Sequence, residues 1–292
     1  MFQSKKELHG VLICLASAII LGLYPPAARV VYFDGGNITF VILFATFFRL
    51  AGLYGLALLN KKRILQNFHE SIPVLYAGFF QAVSTIGIIG AIYFMPGVLV
   101  ITIVFTYSAM LLFYSAWRKE MLLNSSNIVA TLFALVGLAM ALDIGNKSAD
   151  YSLIGIGLAV VGAVATFIRV YIFGRQSIKR HPLVIGSESF FVTFTLLLFM
   201  LFWQLPQLPE TSYGLLMALL AGTSIMLGSI GLFYGIAMIG AYKMSMVTKL
   251  EPIFTLFFGI LIVGEVLNTH QYIGVFLVVA SLLGLQIFDK QK

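Results

Sequence analysis

The stretch GVLICLASA at residues 10–18 has a counterpart, GIGLAVVGA, at residues 155–163. Both begin with glycine, end with alanine and consist almost wholly of apolar or small residues. They start 145 residues apart in a chain of 292 residues, so the second begins almost half a chain length after the first. A repeated apolar segment at this distance predicts a membrane protein built from two similar halves.

The composition of the whole chain also predicts a membrane location. The sequence is 60% hydrophobic and 10% charged, and its mean hydropathy is +1.01. Soluble domains carry about 25% charged residues, so this chain has too few to cover a surface that faces water. We therefore predict an all-α integral membrane protein, because a helix satisfies its own backbone hydrogen bonds in lipid.

A helix needs about 20 mainly apolar residues to cross a bilayer, and ten stretches of this chain meet that length. The connections between them are short, and Pro25-Pro26 is expected to kink the first span. The predicted spans are 9–32, 36–59, 72–93, 96–117, 126–143, 152–173, 184–203, 213–237, 241–264 and 270–288.

The basic residues indicate the orientation of these spans. With a cytoplasmic N-terminus, 12 of the 18 lysines and arginines fall on the cytoplasmic side, five fall within spans, and only Lys147 falls in an outer loop. Cytoplasmic loops of membrane proteins carry such an excess of lysine and arginine. We therefore predict a multi-pass protein of the cell (inner) membrane with both termini in the cytoplasm.

Further sequence matches extend the duplication along both halves of the chain. Five spans in each half is an odd number, so the two halves must cross the membrane in opposite senses. The sequence thus predicts two inverted five-helix repeats, residues 1–145 and 146–292, with a binding site at mid-membrane between them. The further matches are Gly78 with Gly222, Ala91 with Ala237, and Glu120 with Glu265.

The ninth predicted span carries a more specific pattern, KLEPIF at residues 249–254 followed by GEVL at residues 264–267. This pattern resembles the second-repeat signature of the ten-helix EamA family in the drug/metabolite transporter superfamily. The resemblance implies two inverted EamA-like repeats around a central cavity. It also implies a protein that moves small metabolites, often amino acids and often outward.

Charged residues within the spans are candidate functional residues, since each costs about 2.5–3.5 kcal/mol to insert. Glu251 is interpreted either as a proton-titrating or ammonium-binding carboxylate, or as a structural partner of Arg49 or Lys249. Arg49 is expected to bind a carboxylate or phosphate, or to form an ion pair with Glu251. Lys249, two residues before Glu251, is also predicted to bind substrate. Lys243 is expected to bind an anionic group near the outer mouth, or to reach the membrane interface.

Uncharged polar residues complete the predicted substrate-binding set, although each can instead hydrogen-bond to backbone or to another helix. Three charged residues that lie nearer span ends, Arg29, Arg169 and Glu188, are interpreted as structural. Gly228, Gly231 and Gly235 in the eighth span are typical of close helix packing. The uncharged members of the set are Tyr24, Gln81, Thr106, Tyr107 and Tyr234.

Several motifs are missing from the sequence. It has no GxxxxGK[ST] loop, no HExxH and no CxxC, and no nucleophile stands beside a base. We therefore predict no enzymatic activity, no ATP hydrolysis, no cofactor, no metal site and no nucleic-acid partner.

The leading functional prediction is a secondary active transporter of a small polar metabolite, an amino acid or related zwitterion, with export favoured. Its partners are then the substrate and membrane lipid, with protons as the candidate coupling ion through Glu251. The alternative is an importer or exchanger of an anionic metabolite, nucleotide-like or phosphorylated, which the five cations within spans would favour.

Overall fold

A computed structural model describes residues 5–62, 64, 68–118, 128–129, 132–133, 136–137, 140, 152–264 and 266–289. These residues form helices and no β-strand. Short 3₁₀ helices cover Leu198–Phe202 and Thr248–Leu250, and a π-helix covers Gly259–Val263. The α-helices are α1 Lys5–Gly22, α2 Tyr24–Phe33, α3 Ile38–Leu59, α4 Phe68–Phe94, α5 Gly97–Val104, α6 Tyr107–Trp117, α7 Leu153–Gln176, α8 Pro182–Leu197, α9 Ser212–Val247, α10 Glu251–Phe258 and α11 Thr269–Asp289.

Seven helical segments in the described part of the chain are long and apolar enough to cross a membrane. They coincide with predicted spans one to four and six to eight. The ninth and tenth predicted spans fall on two shorter apolar helices, Glu251–Val263 and Thr269–Ser281. The fifth, 126–143, lies largely outside the described residues, so the count of ten stays a prediction. The seven segments are Lys5–Phe33, Ile38–Leu59, Ser71–Phe94, Leu99–Trp117, Leu153–Gln176, Pro182–Phe202 and Ser212–Ala241.

Three of the spans are interrupted. The first breaks at Leu23, between α1 and α2, where Pro25 and Pro26 occupy the first turn of α2. Proline is tolerated there because the first amides of a helix have no intrahelical acceptor. The fourth breaks between Val104 and Tyr107. The ninth passes through a 3₁₀ turn just before Glu251.

Helix α9 also contains a break, at Gly240, where φ is 80° and ψ is 161°. This backbone conformation is essentially confined to glycine. No separate loop follows, so the eighth and ninth predicted spans are joined through this one residue.

The largest helix contacts join the two halves of the chain rather than helices within one half. Helix α4 packs along α7, and α1 packs along α9. Helix α3 contacts both α8 and α9, while α5 contacts α7 and α10. The buried core therefore lies between the halves.

Glycines allow these helices to approach closely. A Cβ added at Gly231 would meet Ser17 Oγ, and one added at Gly235 would meet Cys14 Sγ, both on α1. A Cβ added at Gly228 would meet the side chain of Leu21, also on α1. The structure thus confirms that this glycine pattern serves close helix packing.

Among the glycines of the described residues, the closest approach to backbone is at Gly87 on α4. A Cβ there would lie 2.6 Å from the Leu158 carbonyl oxygen and 2.8 Å from the Gly162 Cα of α7. Both contacts are with backbone, which cannot rotate away. The substitution Gly87→Val is therefore expected to lower stability by more than the roughly 1–3 kcal/mol typical of an overpacked core. The measurement is the melting temperature of the detergent-purified protein.

The matched control for this prediction is Gly157→Val on α7. A Cβ at Gly157 meets no atom within 4 Å, so the variant should melt close to the wild type. Equal melting temperatures for the two variants would contradict the close crossing.

At one end of the bundle, the turn after α2 binds the segment that precedes α9. Asp34 Oδ2 accepts hydrogen bonds from the Thr211 amide at 2.9 Å and the Thr211 hydroxyl at 2.8 Å. Asn37 Nδ2 donates to the Leu205 carbonyl oxygen at 2.7 Å, and its Oδ1 accepts from the Gln207 amide at 3.1 Å. These bonds tie the first and second halves together.

At the opposite end, a buried ion pair anchors the start of α8. Arg180 Nη1 donates to Glu188 Oε2 at 2.7 Å, and Nη2 donates to Glu188 Oε1 and to Ser71 Oγ of α4. The Glu188 side chain is fully buried. Its carboxylate is thus neutralised by a bidentate arginine, in agreement with its structural interpretation.

His181 caps the N-terminus of α8 beside this pair, its Nδ1 accepting from the Leu183 amide at 3.3 Å. Burial and the nearby Lys62 lower the pKa of His181 below its usual 6.5. The ring is therefore neutral near pH 7, which leaves Nδ1 free to accept this hydrogen bond.

Candidate functional site

A cavity of about 110 Å³ lies between the two halves of the chain. This space is large enough for more than one water-sized group. Helices of both halves line it. Its polar lining residues are Tyr24, Arg49, Gln81, Ser84, Thr85, Tyr107, Thr166, Arg169, Ser229, Thr248 and Glu251.

Two helix breaks deliver side chains to this cavity. Glu251 is the first residue of α10, directly after the 3₁₀ turn of the ninth span, and Pro252 follows it in the first turn. Tyr107 is the first residue of α6, directly after the break of the fourth span. The Tyr107 hydroxyl reaches Thr248 across the cavity. The helix dipole stabilises a carboxylate at a helix N-terminus, and Glu251 occupies this position in α10.

Three charged side chains face the cavity from different helices: Arg49 on α3, Arg169 on α7 and Glu251 on α10. The Nε atoms of both arginines are buried and have no hydrogen-bond partner. Arg49 lies over the ring of Phe190, with 5.3 Å between Cζ and the ring centroid. Both guanidinium groups lie close enough to Glu251 to interact with it electrostatically.

The predicted ion pair between Arg49 and Glu251 is not formed in the described part of the structure. The ion pairs found there within 4 Å are Arg180–Glu188 and Lys243–Glu7. The charges of the cavity are thus near one another without direct contact, which leaves them available to a ligand.

Two neutral polar groups of the cavity are also without partners. The Tyr24 hydroxyl and Gln81 Oε1 are buried and form no hydrogen bond, although Gln81 Nε2 donates to Thr85 Oγ1 at 3.1 Å. By contrast, Ser84 and Thr166 satisfy each other at 2.7 Å. Because buried polar atoms are nearly always paired, Tyr24 and Gln81 are the neutral groups best placed to bind a ligand.

The structure brings five of the nine predicted substrate-binding residues into one cavity: Tyr24, Arg49, Gln81, Tyr107 and Glu251. The side chain of a sixth, Lys249, lies outside what the structure describes. The remaining three do not line the cavity.

Thr106 and Tyr234 have other partners. Thr106 Oγ1 donates to the Ile103 carbonyl oxygen at 2.7 Å, at the break of the fourth span. Tyr234 packs edge-on against His181, with 6.1 Å between ring centroids. Local backbone and ring contacts thus hold both side chains, and neither residue lines this cavity.

Lys243 does not line this cavity either. Its Nζ lies 2.7 Å from Glu7 Oε1, and its side chain is 60% exposed. Because Glu7 stands in the first turn of α1, Lys243 lies at the N-terminal end of the bundle. On the predicted topology this is the cytoplasmic end, not the outer mouth.

Arg169 is the cavity residue that the sequence interpretation missed. The predicted sixth span ended at residue 173 and placed Arg169 near an interface, but α7 continues to Gln176. The signal was present in the duplication, since Arg169 follows Tyr24 by 145 residues, and both side chains line the cavity. The other in-span arginine interpreted as structural, Arg29, lies over the Phe33 ring instead, 5.3 Å from its centroid.

Apolar helices of membrane-spanning length around a buried polar cavity define a multi-pass membrane protein of the transporter class. Residues 153–286 match the model of the EamA-like transporter family. This match, to a family that is part of the drug/metabolite transporter superfamily, confirms the family resemblance predicted from the sequence. Members of the family are transporters and not enzymes.

Comparison with solved structures supports the fold over nearly the full length. One structure, described only as the crystal structure of a protein, aligns with a TM-score of 0.71. The alignment covers 97% of this chain and 99% of the other, at 14% sequence identity. No curated protein matches the sequence.

Proposed function

We propose that the protein is a secondary active transporter that moves an amino acid or related zwitterion across the cytoplasmic membrane by alternating access, in the export direction. One observation carries this proposal. The Glu251 carboxylate and the Arg49 and Arg169 guanidinium groups face one cavity between the halves, and none of them forms an ion pair within 4 Å in the described part of the chain.

These groups suit the two charges of a zwitterion. The planar fork of an arginine binds a carboxylate through two parallel hydrogen bonds. A carboxylate such as that of Glu251 accepts hydrogen bonds from an ammonium group. The Tyr24 hydroxyl and Gln81 Oε1 add one donor and one acceptor without partners.

The proposal includes two inverted five-helix repeats, residues 1–145 and 146–292, and ten spans with both termini in the cytoplasm. When the two halves are exchanged, the contact between α1 and α9 corresponds to the contact between α7 and α4. The contact between α1 and α10 likewise corresponds to the contact between α7 and α5. Thr106 and Glu251, beside the breaks of the fourth and ninth spans, are also 145 residues apart. The family match, 153–286, falls within the second proposed repeat.

Transport by the purified protein in liposomes tests this function. The proteoliposomes are loaded with a mixture of radiolabelled amino acids, and efflux is followed under a proton gradient and in exchange. We expect efflux above that of protein-free liposomes. Failure to move any amino acid or related zwitterion in either mode would refute the proposal.

Proton coupling through Glu251 is tested by the variant Glu251→Gln. The charged and titratable groups that interact with Glu251 are Arg49, Arg169 and Tyr107. Because the amide cannot exchange a proton, transport by this variant should no longer respond to pH and should fall by about tenfold or more, the loss expected when a charged hydrogen bond is removed. The measurement is the initial rate of efflux as a function of pH.

The control for this prediction is Glu7→Gln, the same substitution at the exposed pair with Lys243. Its rate and pH profile should match those of the wild type. An unchanged rate and profile in Glu251→Gln would remove Glu251 from the mechanism.

The alternative substrate is an anionic metabolite, nucleotide-like or phosphorylated, taken up or exchanged. The excess of two guanidinium groups over one carboxylate in the cavity favours it. Competition separates the two: phosphorylated anions that displace the labelled substrate, while zwitterions do not, would decide for the alternative.

A further inference from the structure

The cavity carries an excess of positive charge. Of the described residues that line it, Arg49 and Arg169 are cationic and Glu251 is anionic. The guanidinium groups form no ion pair within 4 Å in the described part of the chain, and their Nε atoms are buried without partners. Since an unpaired buried charge is costly, the cavity is suited to a ligand with one net negative charge.

The two guanidinium groups reach this cavity from different helices. Arg49 extends from α3, in the first half of the chain, and interacts electrostatically with the Tyr24 hydroxyl. Arg169 extends from α7, in the second half, and interacts with the Tyr107 hydroxyl. Each arginine thus stands near its own phenol, so the cavity offers two oxyanion sites of similar chemistry.

Glu251 is shared between these two sites. Both arginines interact electrostatically with its carboxylate, and it enters the cavity from α10, a third helix. A single carboxylate close to two oxyanion sites matches one ammonium group in a molecule with two acid groups.

We propose that the substrate is an amino acid with a second acid group, and that Arg169 is the residue that selects for it. This inference rests on the proposed function. In this arrangement the two acid groups bind at Arg49 and Arg169, and the ammonium group binds at Glu251. The ligand carries one net negative charge and neutralises the cavity.

Matched ligands test this proposal, because glutamate and glutamine differ in one acid group and have nearly equal size. Each unlabelled ligand competes with the efflux of a labelled amino acid from proteoliposomes, with glutarate, which lacks the amine, as a third probe. For the wild type we expect glutamate to compete about tenfold or more better than glutamine, the loss expected when a charged hydrogen bond is missing. Glutarate should compete less well than glutamate.

In the variant Arg169→Gln, competition by glutamate should weaken while competition by glutamine stays unchanged. The two ligands should then compete about equally. Arg169→Lys, which keeps the positive charge, should retain part of the preference and provides a second measurement if the glutamine variant folds poorly. The control is Arg175→Gln, on the exposed end of the same helix, which should compete as the wild type does.

Equal competition by glutamate and glutamine in the wild type would overturn the inference, as would an equal loss for both ligands in Arg169→Gln. Competition by glutarate as strong as by glutamate would also overturn it. These outcomes differ from failure of the proposed function, in which no amino acid of any charge is transported.

Discussion

The variant Glu188→Gln is expected to unfold with a free energy about 3–5 kcal/mol lower than the wild type, the usual cost of removing one partner of a buried ion pair. The bidentate contact with Arg180 is the reason, since Glu188 is fully buried and its loss removes the carboxylate that both guanidinium nitrogens contact. The contact with Ser71 also ties α8 to α4, so the loosened region includes both helices. The measurement is thermal unfolding of the purified protein in detergent.

Two further variants make this expectation specific. Glu7→Gln breaks the Lys243–Glu7 pair, whose lysine is 60% exposed, and should cost less than about 1 kcal/mol. The double variant Arg180→Met, Glu188→Leu should recover part of the loss, because no charge is left unpaired. Melting of Glu188→Gln at the wild-type temperature would contradict the structural role of the pair.

The variant Arg49→Met is expected to weaken substrate binding by about 10-fold to 100-fold, as is typical when a charged hydrogen-bonding group is removed. Methionine retains much of the apolar stem that lies against Phe190, while the guanidinium group is lost. Arg49 Nε has no partner in the described structure, and Arg49 forms no ion pair there within 4 Å. Substrate affinity, read from the concentration dependence of thermal stabilisation, measures the effect.

The matched control is Arg29→Met, which changes another arginine of the first two spans. Arg29 lies over the Phe33 ring and does not line the cavity, so substrate affinity should stay at the wild-type value. Wild-type affinity in Arg49→Met would exclude Arg49 from substrate recognition.

Much of the fold could be predicted because lipid sets strict rules for sequence. Length and hydropathy located the seven segments now seen as helices of spanning length, and Pro25-Pro26 located the first break. Arg49 and Glu251 were predicted as functional residues because they lie deep within spans, where a charged side chain cannot reach either membrane interface. These inferences need only the chain itself and the bilayer thickness.

The errors arise where a side chain depends on helices far away in sequence. Arg169 was placed near an interface because the end of a helix is the least certain feature of an apolar run. Lys243 bonds to Glu7, 236 residues away, and no local pattern shows that partner. The Thr106 hydroxyl donates to the Ile103 carbonyl oxygen at a helix break, and no proline in the sequence marks that break.

Gly240 separates the two helical parts of α9, and Glu251 stands eleven residues beyond it. This is about 17 Å along the intervening α and 3₁₀ turns. A rotation of about 10° about the Gly240 backbone would therefore carry the Glu251 carboxylate by about 3 Å, the length of one hydrogen bond. Since no loop adds slack between Gly240 and the ninth span, on the proposed function such a rotation would make or break the contact between Glu251 and the substrate.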